Sequence, residues 1–437
     1  MKTIFFKGLR IITVAISILL LGRMTGYAQS HEKAFLKRYD LSTTVINPDT
    51  APTDDVYSWW TETAKAEWGE PMDDGWLHRP EPLGFRGDNF QRFYIHFDTV
   101  YKVSPTVYQM KARSRCKDEI CHIQGRILID SVTLDECDVG DEFIKNLTEC
   151  GTVYAHYEME ASAGSIPVAR LFGRSSYGYL VHNDSVYYDA MMIVADGYSN
   201  NQYAGKWVDL VTNDTLTCNW GDFRIPESKS LDGGCGLFIP GEEYYDLGWK
   251  PYLDWDNHAW VGDPLWMYYD FLYSIDEDWW EYEVEPNGKA PKVEGHYGYA
   301  HAFNYDLKGV HLAVYETGTM DFHPDGTALD SARQVYIATL QNGKKVTYVF
   351  NYLSPSKWRL EGENFYFSGI KESFRMEVVD GEPEAELAQE IIKVISGSID
   401  YEYKFHLDTL TEKKLQWSFT YRDGHRDTWE FYRTFSR

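Results

Sequence analysis

The sequence predicts a mainly β protein, built as two antiparallel β-sandwich or barrel domains joined by an aromatic-rich helix. Three observations carry that expectation. Aromatic residues make up 16% of the chain, and Tyr alone supplies 33 of its 437 residues, a composition that favours strands. Runs of strand formers recur between Gly-, Asn- and Asp-containing turns in both halves, the pattern of sandwiches and barrels and not of βαβ units. Between the halves lies the stretch 248–285, which holds six of the fifteen tryptophans (Trp249, Trp255, Trp260, Trp266, Trp279 and Trp280).

The N-terminus reads as an export signal. Lys2, Lys7 and Arg10 precede the apolar run 11–21, and Gly26-Tyr27-Ala28 offers a cleavage site. The run is shorter than the roughly 18 residues that a membrane-spanning helix wants. Cleavage after Ala28 is therefore expected, leaving a periplasmic or secreted protein with no inserted segment. The formal net charge is −25, and cleavage would remove Lys2, Lys7, Arg10 and Arg23 but no acid. So acidic a chain repels phosphate backbones, which excludes nucleic acid as a partner class. Oligomeric state is not legible in these features.

Six cysteines are present: Cys116, Cys121, Cys137, Cys150, Cys218 and Cys235. An even count in an exported chain predicts disulfides. Cys116 with Cys121 is the favoured pair, since it would close a short hairpin, and Cys218 with Cys235 would staple the loop 218–240. No Cys-x-x-Cys spacing or accompanying His cluster supports zinc, so neither metal nor cofactor is expected.

In order, residues 29–85 form a turn-rich lead-in with a short helix carrying Val56, Trp59, Trp60 and Ala64, capped from 53–55. Residues 86–262 form the Cys-containing β domain, with strands expected over 90–97, 107–113, 123–132, 153–160, 169–172, 177–181, 186–194 and 207–211. His182-Asn183-Asp184-Ser185 makes a hairpin turn between two of these. The connecting helix is assigned to 263–286: Asp263-Pro264 opens it, and Leu265, Tyr268, Tyr269, Leu272, Ile275 and Trp279 share one face. Trp266, Met267 and Phe271 widen that face so far that the helix is expected to be buried. Residues 287–437 form the second β domain. Its clearest signals are Asn342-Gly343 between 335–340 and 346–352, the alternating Leu415, Trp417, Phe419 and Tyr421, and a helix over 383–396.

The hairpin GTMDFHPDGT (318–327), the strands 348–352 and 358–367, and the closing aromatic hairpin resemble the lipocalin-like domains of exported bacterial proteins. That resemblance covers a quarter to a third of the chain. It implies a small antiparallel barrel with an internal apolar cavity. Gly205-Lys206-Trp207 is similar to the Gly-x-Trp signature of lipocalins, but it follows several strands and lends no ligand site.

No nucleophile elbow, phosphate loop, dinucleotide fingerprint or His-Glu-x-x-His occurs, and no catalytic residue is assigned. His296 and His301 are the best His pair, yet their odd separation puts them on opposite faces of a strand. The expected function is an exported, non-enzymatic β-protein binding an apolar small molecule or a carbohydrate. Trp249, Trp255 and Trp260, with Tyr252, are the candidate platform, because aromatics in irregular sequence often serve ligands. A glycan hydrolase using Asp222, Asp232, Glu242, Glu243, Asp254 or Asp256 is the alternative, and a structural cell-surface component is a third. The signal reading has a direct check: the mass of the exported protein should match a chain beginning at Gln29, and an intact N-terminus would overturn it.

Overall fold

The computed structural model describes residues 31–46, 81–135, 147–189, 196–260, 262–281, 291–381, 386–421 and 424–433. The export signal, the 53–64 helix and Cys137 lie outside the described residues. The fold is mainly β, and the chain divides into two compact units, 1–250 and 251–437.

The first unit is one curled antiparallel sheet. Its strands are β1 (Leu83–Arg86), β2 (Gln91–Arg92), β3 (Tyr94–Ser104), β4 (Val107–Cys116), β5 (Glu119–Leu134), β6 (Leu147–Ala163), β7 (Ile166–His182), β8 (Ser185–Tyr188), β9 (Asn200–Asp209) and β10 (Thr215–Asp222). They run in the order β2-β1-β10-β9-β7-β6-β5-β4-β3, with β8 paired to β7. The 169–172 and 177–181 segments merge into the single strand β7. Gly173, which separates them, pairs directly with Gly205 of β9. A Cβ on Gly205 would stand 2.2 Å from the Tyr157 hydroxyl, so the two glycines make room for that buried ring. The turn after β7 forms as expected: His182 pairs with Ser185, and Asn183 and Asp184 take positive φ, the geometry of a two-residue hairpin.

Alternating side chains of β4, β6 and β7 face one core. Residues 31–46 complete it from within the same unit: Phe35, Tyr39, Leu41 and Val45 are buried in that core. Two bonds anchor the segment. The Tyr108 hydroxyl donates to Tyr39 O at 2.9 Å, and Lys102 Nζ donates to Leu36 O at 2.8 Å.

The disulfide expectation is corrected for four cysteines, since Cys116, Cys121, Cys218 and Cys235 are free thiols. Register explains the first pair: Cys116 lies opposite Glu119, and Cys121 lies opposite Ser114. The two cysteines are thus diagonal neighbours, about 7–8 Å apart, beyond disulfide reach. Cys218 is buried in the core while Cys235 is exposed, so they do not meet either. Cys150 is buried on β6, and a bridge to Cys137 falls outside the described residues. The loop that a disulfide was expected to staple is held instead by Arg224. Its guanidinium ion-pairs with Asp232 and donates to Gly236 O at 2.6 Å and Cys235 O at 3.2 Å.

The second unit is a closed barrel of eight antiparallel strands. Its strands are β11 (Gly295–Leu307), β12 (Val310–Phe322), β13 (Thr327–Thr339), β14 (Lys345–Glu361), β15 (Asn364–Gly369), β17 (Tyr403–Leu410), β18 (Lys414–Thr420) and β19 (Arg426–Arg433), with β16 (Arg375–Asp380) paired outside the ring to β14. The Asn342-Gly343 hairpin pairs Thr339 with Lys345, and Gly343 sits at φ +79° as that turn demands. Closure occurs where β11 meets β19. Inside, Tyr297, Met320, Phe322, Phe365, Trp417 and Phe431 fill one part of the barrel. Elsewhere Ala388 and Ile391 of the Glu386–Ser398 helix pack on Leu312, Val314, Tyr336 and Phe350.

The tryptophan-rich stretch differs from expectation in two ways. The part read as irregular contains a helix, Lys250–His258. The following helix, Trp266–Glu277, is not buried all round: Trp266, Met267 and Leu272 are exposed. It lies along the outer wall of the barrel, where Leu265 and Tyr269 pack on Tyr315, Val335, Ile337 and Val349. Asp263 does serve its start, though from two residues ahead, accepting the Leu265 N–H on Oδ1 at 2.7 Å.

Under native conditions a thiol reagent is expected to label Cys235 quickly and Cys116, Cys121 and Cys218 only after denaturation. Arg224→Ala should cost on the order of 2 kcal/mol through lost hydrogen bonds, whereas Cys235→Ser should leave the melting temperature unchanged. Equal labelling of all four native thiols would contradict this packing.

Candidate functional site

The residues first expected to bind ligand do not form an open platform. Trp249 is fully buried in the first unit, where its Nε1 donates to Phe90 O at 2.8 Å and the Arg92 guanidinium lies 4.5 Å from its ring centroid. Tyr252 and Trp255 pack against Tyr273 of the neighbouring helix, with ring centroids 5.8 Å and 4.8 Å away, and Trp255 Nε1 donates to Asp270 at 3.2 Å. Their aromatic surface holds two helices together. Trp260 alone is exposed, at 57%.

The acids from 220 to 260 are similarly dispersed. Asp222 is fully buried, accepting from Asn201 Nδ2 at 2.7 Å and Tyr188 OH at 3.2 Å. Asp232 neutralises Arg224. Glu242 and Glu243 are exposed on the short Glu242–Leu247 turn of helix, and Asp254 and Asp256 lie on the Lys250–His258 helix. His296 faces outward to Asp321 and His301 faces inward, its ring tilted 37° against Trp429 with centroids 4.6 Å apart. Among the described residues no group of three or more His, Cys, Asp and Glu could hold a metal ion.

A polar constellation appears inside the barrel instead. The register places His301, Glu316 and Gln334 in one row across β11, β12 and β13. Asp330 on β13 and Tyr352 on β14 lie close by, and Tyr299 reaches in from β11. Glu316 and Asp330 are each only 8% exposed. The Tyr299 hydroxyl is 2.8 Å from both Glu316 Oε1 and Asp330 Oδ1. The Tyr352 hydroxyl bonds Glu316 Oε1 and lies 2.8 Å from Asp330 Oδ2. The two phenol oxygens are themselves 3.1 Å apart.

Proton counting is informative here. Five oxygen–oxygen contacts of hydrogen-bonding length connect these four residues, but two phenols carry only two protons. A carboxyl proton is needed to donate into the cluster, so the two acids share charge unequally. Burial first, and the Glu316 charge second, push the Asp330 carboxyl up to about 7. The tyrosine hydroxyls pull the other way, but not far enough. Burial also raises Tyr299 and Tyr352 well above the ordinary phenol range, so both remain donors, and it lowers His301, keeping that imidazole neutral more readily.

The pair lines a cavity of about 1110 Å³. Phe303, Tyr305, Phe367, Phe374 and Tyr403 supply its aromatic wall, and Val394, Ile395 and Ile399 supply its aliphatic side. The size is a little above the roughly 300–1,000 Å³ usual for small-molecule sites. Two polar atoms in it have no protein partner. Both tyrosines bond Glu316 Oε1, which leaves Oε2 open, and Gln334 accepts from Tyr336 OH at 2.9 Å on Oε1, which leaves its Nε2 donor open.

No known family model matches this chain, and no curated protein matches its sequence.

Sequence reasoning did not single out Glu316, Asp330, Tyr299, Tyr352 or Gln334. They come from four strands, one or two from each, and no local motif joins them. A signal does exist in the alternation: Leu312, Val314, Glu316, Met320 and Phe322 share the inward parity of β12, and one carboxylate interrupts that apolar row. Ala328, Asp330, Ala332 and Gln334 repeat the anomaly on β13.

The folded protein keeps a proton on Asp330 that the unfolded chain loses near pH 4. Its stabilising contribution is complete below about pH 4 and is lost as pH rises through about 7. His301, depressed by burial, tilts stability the opposite way on the acid side of its ordinary pKa. Urea midpoints at pH 5 and pH 8 should show a loss on the order of 3 kcal/mol from the Asp330 contribution. Asp330→Asn should abolish most of that loss, and an unaltered pH dependence in the variant would assign the proton elsewhere.

Proposed function

We propose that this is an exported, non-enzymatic binding protein whose barrel, lipocalin-like in form, takes a small organic ligand into its interior. The observation that carries the reading is the cavity of about 1110 Å³ inside the second unit, lined by rings and aliphatic side chains around the polar side chains of Glu316 and Gln334. A core this well supplied with aromatics has no stability reason to leave such a space, because packing to near-crystal density is the norm and a void forfeits contacts. A few placed polar groups within an apolar wall are the usual composition of a ligand pocket. The reading moves the candidate site from the tryptophans of 249–260 to the barrel. Catalysis by the buried pair is less well supported, since tyrosine hydroxyls bond both carboxyls.

The test uses a neutral solvatochromic dye and the full chain. Its fluorescence should rise on binding, Ile395→Trp should weaken that binding at least tenfold by filling the cavity, and Trp260→Ala should leave it unchanged. The opposite pattern, with Trp260 required and Ile395 dispensable, would return the site to the tryptophan-rich stretch.

A further inference from the structure

The barrel cavity carries an inference about charge that the binding reading alone does not contain. Among the described residues that line it there is no Lys or Arg; its acidic side chains are Glu316, Asp330 and Asp427, and His425 is its one imidazole. His425 Nε2 is 2.9 Å from Asp427 Oδ1, and Tyr421 OH donates to Asp427 Oδ2 at 2.9 Å. Asp427 thus has hydrogen-bond partners on both oxygens. Glu316 does not. It is more than nine-tenths buried, both phenols converge on its Oε1, and Oε2 faces the cavity with no donor. Glu316 Oε2 is not sealed in the interior but can be reached from the cavity, and covering it with a group that does not donate would leave it desolvated and unpaired. Such an oxygen is relieved by a donor arriving from the cavity, and most strongly by a charged one.

We propose that the barrel selects an organic ammonium ion with an aromatic or otherwise apolar body, whose N–H donates to Glu316 Oε2. The proposal rests on the reading of the cavity as a ligand site. Several features of the wall fit this class. Tyr352 and Phe367 line the same cavity as the acid pair, with Phe303 and Tyr305 further along it, and ring faces attract an ammonium that has shed water. An anionic ligand would meet the acid pair with no Lys or Arg on the wall. A neutral apolar ligand would cover Glu316 Oε2 without satisfying it. Gln334, the direct cross-strand neighbour of Glu316, adds an open N–H donor, so a hydroxyl or carbonyl near the amine would find a partner beside the charge. The protonated member of the acid pair completes the arrangement: one carboxylate faces one cation, and the site does not bury two negative charges against a single positive one.

The decisive comparison holds the apolar body constant. Phenylethylamine, phenylethanol and phenylpropionate would each be titrated into the full chain by calorimetry. The ammonium is expected to bind at least tenfold more tightly than the alcohol, and the carboxylate not measurably. Glu316→Gln keeps the shape and the tyrosine bonds, and it should bring the amine down to the affinity of the alcohol without lowering the melting temperature. Equal affinities for amine and alcohol, or an unchanged amine affinity in a folded Glu316→Gln, would overturn the proposal. Should the variant unfold, the wild-type ranking alone decides. If the neutral dye enters the barrel but the amine shows no preference, only the charge selection fails. If neither dye nor amine binds, the cavity reading fails with it.

Discussion

A curled antiparallel sheet creates an interior, and that interior has to be occupied. Backbone hydrogen bonding and right-handed twist bend a large sheet, and alternation then sends half of every strand's side chains to the inside. The two units of this chain meet the requirement differently. In the first, residues 31–46 place Phe35, Tyr39, Leu41 and Val45 among the inward side chains, so the curl is filled by its own chain. The second closes completely, which removes both sheet edges, and fills part of its interior with rings such as Trp417 and Phe431. The remainder stays open around Glu316 and Asp330. One interior is plugged by its own chain, and the other stays partly open.

The acid pair persists inside the barrel because the cost of burial is spread over several groups. Either carboxylate alone would face a large desolvation penalty. Tyr299 and Tyr352 supply two donors, and protonation of one acid removes the repulsion between them. What is left is a network satisfied on one side and open on the other. Such partial satisfaction is disfavoured in a purely structural core, and it is the arrangement expected of a site that awaits an outside donor.

Much of the fold was legible in local sequence. Asn342-Gly343 and Asn183-Asp184 specify tight hairpins through backbone conformations few other residues tolerate, and both hairpins formed at those positions. The apolar spacing of Leu387, Ile391 and Ile395 marked a helix, which the structure places at Glu386–Ser398. Features set by register or by neighbours were not legible. Cys116 and Cys121 are five residues apart across a turn, but whether they face directly or diagonally depends on how β4 and β5 align. The apolar face of the Trp266–Glu277 helix was visible, whereas what covers it was not, so exposed Trp266 and Met267 were read as interior. The site itself is assembled across β11 to β14, and no window of sequence contains it.

The closing seam has a consequence for biogenesis. β11 meets β19 through Tyr297 with Arg433, Gly298 with Tyr432 and Tyr299 with Phe431, residues more than a hundred positions apart along the chain. Tyr299 therefore belongs both to the seam and to the acid pair. A nascent polypeptide that has not yet released β19 has no partner for the free side of β11, and its carboxylates stay in contact with water. Long-range pairing of this kind is slow to form. Enclosure of the acid pair and completion of the barrel are thus a single event.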